Sequence, residues 1–173
     1  MRTTYLVFLG LCLVGLATRT GYELLKKAGR VNPRNKVVFA VVFVSMCLML
    51  TSWPAMCPFD PLRINLPAVV RWIGLGGLIA GLGMALGGWI QLRALENIDH
   101  LVTSGLFAKI RHPMYAGFIL WILGWVVFHG AAVSLVAGLV GIGNILYWRR
   151  LEEEKLASDF GEDYRRYRAG TWF

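Results

Sequence analysis

Two short stretches of this chain hold most of the side chains that could do chemistry. Arg111-His112-Pro113-Met114-Tyr115 sets a cation and an imidazole directly before a proline, and Arg149-Arg150-Leu151-Glu152-Glu153-Glu154 sets guanidinium against carboxylate. Proline lacks a backbone donor and disfavours helix in the residue before it, so His112 is expected just outside a helix that Pro113 begins. Arg111 and His112 then stand at a helix N-terminus, whose free N–H groups suit a carboxylate. The bland alternative is an Arg and Tyr anchor at headgroup level. Arg149 and Glu153 are four apart and share a helical face. Exposed to water, such a pair would contribute roughly a few tenths of a kcal/mol. Three acids directly after an apolar run make a poor anchor for anionic headgroups, and a cation from ligand or protein would account for them better.

Gln91 and Asn144 lie within or at the ends of apolar runs, where an amide needs a partner. For Asn144 an interhelical hydrogen bond is the expectation. Gln91, beside a polar loop, suits a structural or a ligand contact equally. Cys12, Cys47 and Cys57 show no CxxC or other metal-ligand spacing, so neither a disulfide framework nor a metal site is expected.

The elements that must position these groups are membrane helices. Hydrophobic residues make up 57% and charged residues 16% of the 173, whereas soluble domains are about a quarter charged. Segments long enough to cross, or nearly cross, a bilayer lie at about Thr4–Ala17, Val37–Trp53, Ala68–Leu92, Tyr115–Phe128 and Ala131–Tyr147. The expected fold is all-α, a single domain over residues 1–173 built as a bundle of about five transmembrane helices. The first segment resembles a signal peptide, but the basic residues that follow oppose export, and it reads as a retained anchor. His129-Gly130 leaves room only for a tight turn, so the last two segments form a C-terminal antiparallel hairpin.

Lys and Arg number six from Arg19 to Lys36, three from Arg93 to Arg111 and six from Arg149 onward, against Arg2, Arg63 and Arg71 on the other side. That asymmetry predicts an outside N-terminus and a cytoplasmic C-terminus. It also accounts for the net charge of +8 without nucleic acid. Pro54, Pro58, Pro61 and Pro67 mark a short external loop in which Asp60 is expected to be exposed. Gly77, Gly81 and Ala85 form a small-residue ridge, with Gly83 and Gly87 beside it, read as packing within the bundle or as a homodimer face. After the last span, Leu156, Phe160, Tyr164 and Tyr167 share one face of an amphipathic cytoplasmic tail that could pack under the bundle or lie on the membrane.

Three separated motifs then coincide in order and spacing over residues 91–167. They are His100-Leu101-Val102 with Gly105, Arg111-His112-Pro113-Met114-Tyr115, and Glu152-Glu153-x-x-Leu156-x-x-x-Phe160-Gly161-x-x-Tyr164-x-x-Tyr167. In these the sequence resembles the isoprenylcysteine carboxyl methyltransferase family of integral membrane enzymes and the related phospholipid N-methyltransferases. The resemblance implies S-adenosylmethionine as methyl donor, bound at the cytoplasmic face and leaving as S-adenosylhomocysteine. It implies adenosine contacts at His100, Leu101 and Val102, an aromatic contact at Phe107, and a further contact at Gln91. Arg111, His112, Pro113, Met114 and Tyr115 fall near the donor's amino-acid end, and Glu153, with Glu152 beside it, takes the place of the glutamate that holds the donor. Arg149 takes the place of the arginine that orients the acceptor, with Asn144 and Trp148 on the acceptor side. Phe107 stands where the family usually has tyrosine, and the sequence lacks the proline-bearing segment common after the second tyrosine.

The expected activity is methyl transfer to a lipophilic acceptor entering from the bilayer, most naturally an isoprenylcysteine carboxylate, with Arg149, His112 and Glu153 as the catalytic set. A sulfonium is already activated, so alignment and exclusion of water are the main requirements, and no metal is needed. An amine acceptor, as in phosphatidylethanolamine N-methylation, would need a base such as His112. A sterol-type reductase and a non-enzymatic membrane scaffold are the remaining alternatives.

Overall fold

The computed structural model describes residues 2–32, 35–93 and 100–173. Arg34, one of the cations counted above, and residues 94–99 of the polar loop lie outside them. The described residues form five α-helices: α1 (Arg2–Lys27), α2 (Lys36–Met56), α3 (Ala68–Arg93), α4 (Pro113–His129) and α5 (Ala132–Ala169). Four are long and apolar enough to cross a membrane. At about 1.5 Å per residue the 17-residue α4 is roughly 26 Å long, slightly less than a hydrocarbon core of about 30 Å. The all-α membrane bundle expected from composition is therefore the fold observed.

The first helix differs from its apolar run. It continues ten residues past Ala17 to Lys27, because Thr18–Lys27 holds no proline and pairs Arg19 with Glu23 one turn on. α1 and α2 are close neighbours where a Cβ on Gly15 would come within 2.8 Å of the Ser45 carbonyl oxygen.

Small residues let α3 and α4 approach each other backbone to backbone. A Cβ on Gly81 would lie 2.6 Å from the Gly117 oxygen, and one on Gly74 would lie 2.8 Å from the Gly124 oxygen. The ridge containing Gly81 and Ala85 is thus occupied by α4 within the chain, as expected where lipid offers no hydrophobic drive and van der Waals contact decides.

α4 and α5 form the expected hairpin. Gly130 adopts the left-handed conformation (φ 62°) that ends α4. The loop before α3 closes over this turn, with the Ile64 amide donating to the Gly130 carbonyl at 2.8 Å.

Asp60 corrects the expectation of an exposed loop residue. It is 4% exposed and caps α5, its Oδ2 accepting at 2.6 Å from both the Ser134 amide and the Ser134 hydroxyl. A carboxylate at a helix N-terminus satisfies donors that have no partner inside the helix.

Candidate active site

At the opposite end of the hairpin, the start of α4 meets α5 beyond its apolar part. His112 precedes Pro113 in a non-helical conformation, as the proline requires, and Pro113 is buried against Gly88 of α3. On α5 the four-residue spacing brings Arg149 and Glu153 to one face. Three nitrogens converge on Glu153 Oε1: Arg111 Nε at 3.3 Å, His112 Nε2 at 3.4 Å and Arg149 Nε at 3.5 Å. Arg149 and Glu153 are 24% and 12% exposed, so theirs is not the fully solvated pair that spacing alone would allow. Part of the neutralising charge at Glu153 thus comes from the protein itself, through Arg111 and Arg149.

His112 is 5% exposed, and burial lowers its pKa to about 4; Glu153 pulls the other way, while Arg149 and Arg111 add to the lowering. The imidazole is therefore neutral at pH 7, with one nitrogen able to accept. Its Nε2, 3.4 Å from Glu153 Oε1, makes no hydrogen bond among the described residues. The ring stacks on Tyr115, centroids 5.6 Å apart.

The tail closes over this cluster. Gly161, at φ 51°, breaks the regular helix and redirects the residues after it, a conformation that costs glycine little. Tyr164 is buried, and the Tyr167 hydroxyl donates to the Phe107 carbonyl at 2.6 Å. The amphipathic face thus packs under the bundle. The Trp172 amide donates to the Lys109 carbonyl at 2.9 Å, and the Arg111 amide to the Trp172 carbonyl at 3.0 Å. Arg111 Nη1 donates to the carbonyls of Arg168 and Thr171, and the Phe173 ring lies 4.5 Å from the Arg149 guanidinium carbon.

Three cavities border α5. An apolar one of about 180 Å³ lies among α1, α2, α4 and α5, with Leu16, Trp53, Phe118, Ile122 and Ile145 in its wall. At Arg19, Tyr115 and Trp148 it adjoins a polar pocket that also carries Glu23, Lys26 and Glu152. The third is lined by Arg149, Glu153 and Arg168 on another face of α5.

The structure brings together Arg111, His112, Tyr115, Arg149, Glu152 and Glu153. It places other candidates elsewhere. The Gln91 side-chain amide donates to the Ser104 carbonyl at 2.7 Å and accepts from the Leu106 amide at 3.1 Å, so its polar atoms shape the loop. Asn144 Oδ1 accepts from the Thr20 hydroxyl at 2.7 Å while its Nδ2 donates to the Val140 carbonyl. That is the interhelical bond expected of it, and it is absent from the walls of the three cavities. His100 is exposed, Leu101 and Val102 are half-buried, and among the described residues no hydrogen bond or ion pair joins them to the cluster. Phe107 is buried under the tail, while Met114, Tyr115 and Trp148 line the apolar cavity.

Sequence reasoning missed the part of α1 that completes the site. Arg19 and Glu23 continue the helical spacing of the buried Tyr5, Cys12 and Leu16, and that periodicity was the available signal. Arg168, Thr171 and Phe173 carried no local signal.

The residue types present fit the amino-acid end of S-adenosylmethionine. Glu153 can face an ammonium, while Arg111 and the first N–H groups of α4 can receive a carboxylate.

A helical membrane bundle with Arg111, His112, Arg149 and Glu153 clustered at one end of the α4–α5 hairpin defines the class, and comparison with known proteins narrows it. Residues 82–163 match the family described as phospholipid methyltransferase. The chain is 38% identical over 80 residues to the protein-S-isoprenylcysteine O-methyltransferase of Schizosaccharomyces pombe, covering 42% of this chain and 32% of that protein. It is 34% identical over 118 residues to the Xenopus laevis protein of the same name, covering 57% and 39%. It is also 38% identical over 77 residues to the methanethiol S-methyltransferase of Pseudomonas deceptionensis, covering 44% and 29%. The family resemblance read from the motifs is thus borne out over the part of the chain that carries them. The chain spans about a third of the length of these relatives. No solved structure matches it.

Proposed function

We propose that this protein transfers a methyl group from S-adenosylmethionine to a lipophilic acceptor, with the carboxylate of an isoprenylcysteine as the acceptor class. The observation that carries this reading is the convergence of Arg111, His112 and Arg149 on Glu153, next to an apolar cavity within the bundle. When bound, the donor supplies an activated methyl group on a cationic sulfur. Glu153 holds the donor's ammonium, and Arg111 with the N-terminus of α4 holds its carboxylate. The apolar cavity takes the acceptor's isoprenoid chain, and Tyr115 stands where that cavity meets the polar pocket. Arg149 orients an anionic group through its planar fork. The tail over Arg111 and Arg149 excludes water, strengthening each of these interactions. The charge asymmetry supports placing this end in the cytoplasm.

A second reading is supported by the description of the matched family: methylation of a phospholipid amine. That acceptor must lose a proton, and neutral His112 is the base at hand. Purified protein incubated with methyl-labelled donor and either N-acetyl-S-farnesylcysteine or phosphatidylethanolamine vesicles decides between the two. Label in a base-labile ester supports the first reading and label in the lipid headgroup the second. Label in neither product, with no binding of S-adenosylhomocysteine, overturns both.

A further inference from the structure

The apolar cavity has a mouth and a floor. Its mouth lies at Arg19, Tyr115 and Trp148, which it shares with the polar pocket. From there its walls run along the helices toward the opposite end of the bundle. The α5 wall extends from Trp148 back to Gly138, ten residues or about 15 Å, and the α1 wall from Arg19 back to Cys12, seven residues or about 10 Å. The cavity is therefore a slot, longer than it is wide for its volume of about 180 Å³.

Trp53 of α2, Ile122 of α4 and Gly138 of α5 meet at the far end of the slot. A Cβ on Gly138 would come within 2.9 Å of Ile122 Cγ2 and 3.1 Å of Trp53 Cζ2, so the indole crosses the slot where α5 has no side chain. Two contacts fix the indole there. Its Nε1 donates to the Ser134 carbonyl at 3.3 Å, and its ring meets Trp121 edge-on with centroids 5.9 Å apart. One turn beyond Trp121, Trp125 Nε1 donates to the Pro54 carbonyl at 2.9 Å and holds α4 to α2 at this level. Past the floor, Met56, Cys57, Ala131 and Ser134 are fully buried, and none of them lines the cavity. A close-packed interior leaves the slot no continuation.

We infer that Trp53, seated on Gly138, gauges the length of the acceptor's apolar chain, admitting three isoprene units and excluding a fourth. An extended isoprene unit advances about 5 Å, four bonds of about 1.5 Å in a zigzag, so three units reach the floor and a fourth overruns it by roughly one unit. Moving such a chain from lipid into the slot gains little from hydrophobicity, since both are apolar, and fit is left to discriminate. Gly141 stands partway along the same wall, seven residues from Trp148. A Cβ on it would meet only Ile122 Cδ1, at 3.9 Å, so a larger side chain there narrows the slot without disturbing helix packing. The inference rests on the methyl-transfer reading for the occupant, and Trp53 lies outside the matched residues 82–163.

The test is competition binding to the full chain in mixed micelles, which does not depend on turnover. Labelled N-acetyl-S-geranylcysteine, with two isoprene units, is displaced by the farnesyl and geranylgeranyl derivatives, which carry three and four on the same headgroup. Holding all three at equal mole fraction in the micelle cancels their partition into detergent. In wild type the farnesyl compound should bind within about threefold of the geranyl one, and the geranylgeranyl compound about tenfold or more weakly, as overpacking predicts. Trp53→Ala should bring geranylgeranyl to within about threefold of farnesyl while leaving geranyl unchanged. Gly141→Val should move the limit the other way, weakening farnesyl about tenfold and geranyl by no more than about twofold. Absence of a length preference in wild type would overturn the gauge, as would failure of the geranyl probe to bind. So would a Trp53→Ala variant in which all three affinities change alike, since that is the mark of a purely structural tryptophan. Truncating a core tryptophan is destabilising, and if Trp53→Ala does not fold, Trp53→Phe and Gly141→Val decide by the same ratios. Failure of wild type to bind S-adenosylhomocysteine would remove the methyl-transfer reading but leave the length ratios measurable.

Discussion

Arg111 Nε lies 3.3 Å from Glu153 Oε1 although 42 residues, including the whole of α4, separate the two in sequence. The contact joins the residue just before the α4 N-terminus to the membrane-distal part of α5. Through Arg111 Nη1 it also fastens the tail at Arg168 and Thr171. One guanidinium therefore links the proposed donor site to the cover over it.

Glu153→Gln keeps the shape of the side chain and removes its charge. S-adenosylhomocysteine affinity should fall by about 1.5–3 kcal/mol, since a charged partner is lost in a site with little water. Thermal stability should fall as well, because Arg111 and Arg149 lose their shared counterion. Calorimetry with unchanged affinity would reassign Glu153 to a structural role.

Arg149→Ala should leave S-adenosylhomocysteine binding nearly intact and lower turnover about a hundredfold, equivalent to about 2.7 kcal/mol of transition-state stabilisation. Lysine keeps the charge but loses the planar fork and much of the contact with Phe173, so it should rescue only in part. Full activity in the lysine variant would reduce Arg149 to a simple counter-charge for Glu153.

His112 gives the protein an acid-sensitive element. Its folded pKa of about 4 lies below the unfolded value of about 6.5, so the unfolded chain binds the proton first. The stability associated with neutral His112 is fully present above pH ~6.5 and is lost as the pH falls toward 4. Melting temperature measured across that window should drop more steeply for wild type than for His112→Gln. Parallel curves would contradict the burial argument.

Orientation can be read by thiol labelling. Leu62 is 60% exposed in the loop before α3, whereas neighbouring Asp60 is buried, so Leu62→Cys is the suitable probe at that end. Asp159, exposed beyond the last span, serves for the other. In intact cells an impermeant reagent should label a cysteine at 62 and spare one at 159. The opposite pattern would place the Glu153 cluster away from the cytoplasm.

The α3–α4 contact is sensitive to a single methyl group. Gly81→Ala should lower the melting temperature, because its Cβ meets the Gly117 carbonyl and the Trp121 amide at 2.6 Å and backbone cannot yield as a flexible side chain does. Gly83→Ala, with nothing within 4 Å of the new methyl, should be tolerated and supplies the control.

The helices, the tight hairpin at Gly130, the proline-defined start of α4 and the Arg149–Glu153 pairing were legible in the sequence. Each depends on apolar run length, on one residue's backbone preference or on spacing along a single helix. Tertiary structure alone decided that Asp60 caps α5, that Gln91 bonds the Ser104–Leu106 loop, that the partner of Asn144 is Thr20, that Arg19 faces inward beside Trp148, and that the tail returns to Arg111 and Arg149. These relationships depend on how each helix is rotated about its axis and on where its neighbours lie. An apolar run that is hydrophobic on every side records its length but hardly its rotation, because lipid and protein interior are alike apolar. Rotation and approach are set instead by where glycines let backbones touch and by which polar groups find partners, and those choices become visible only when the helices are assembled.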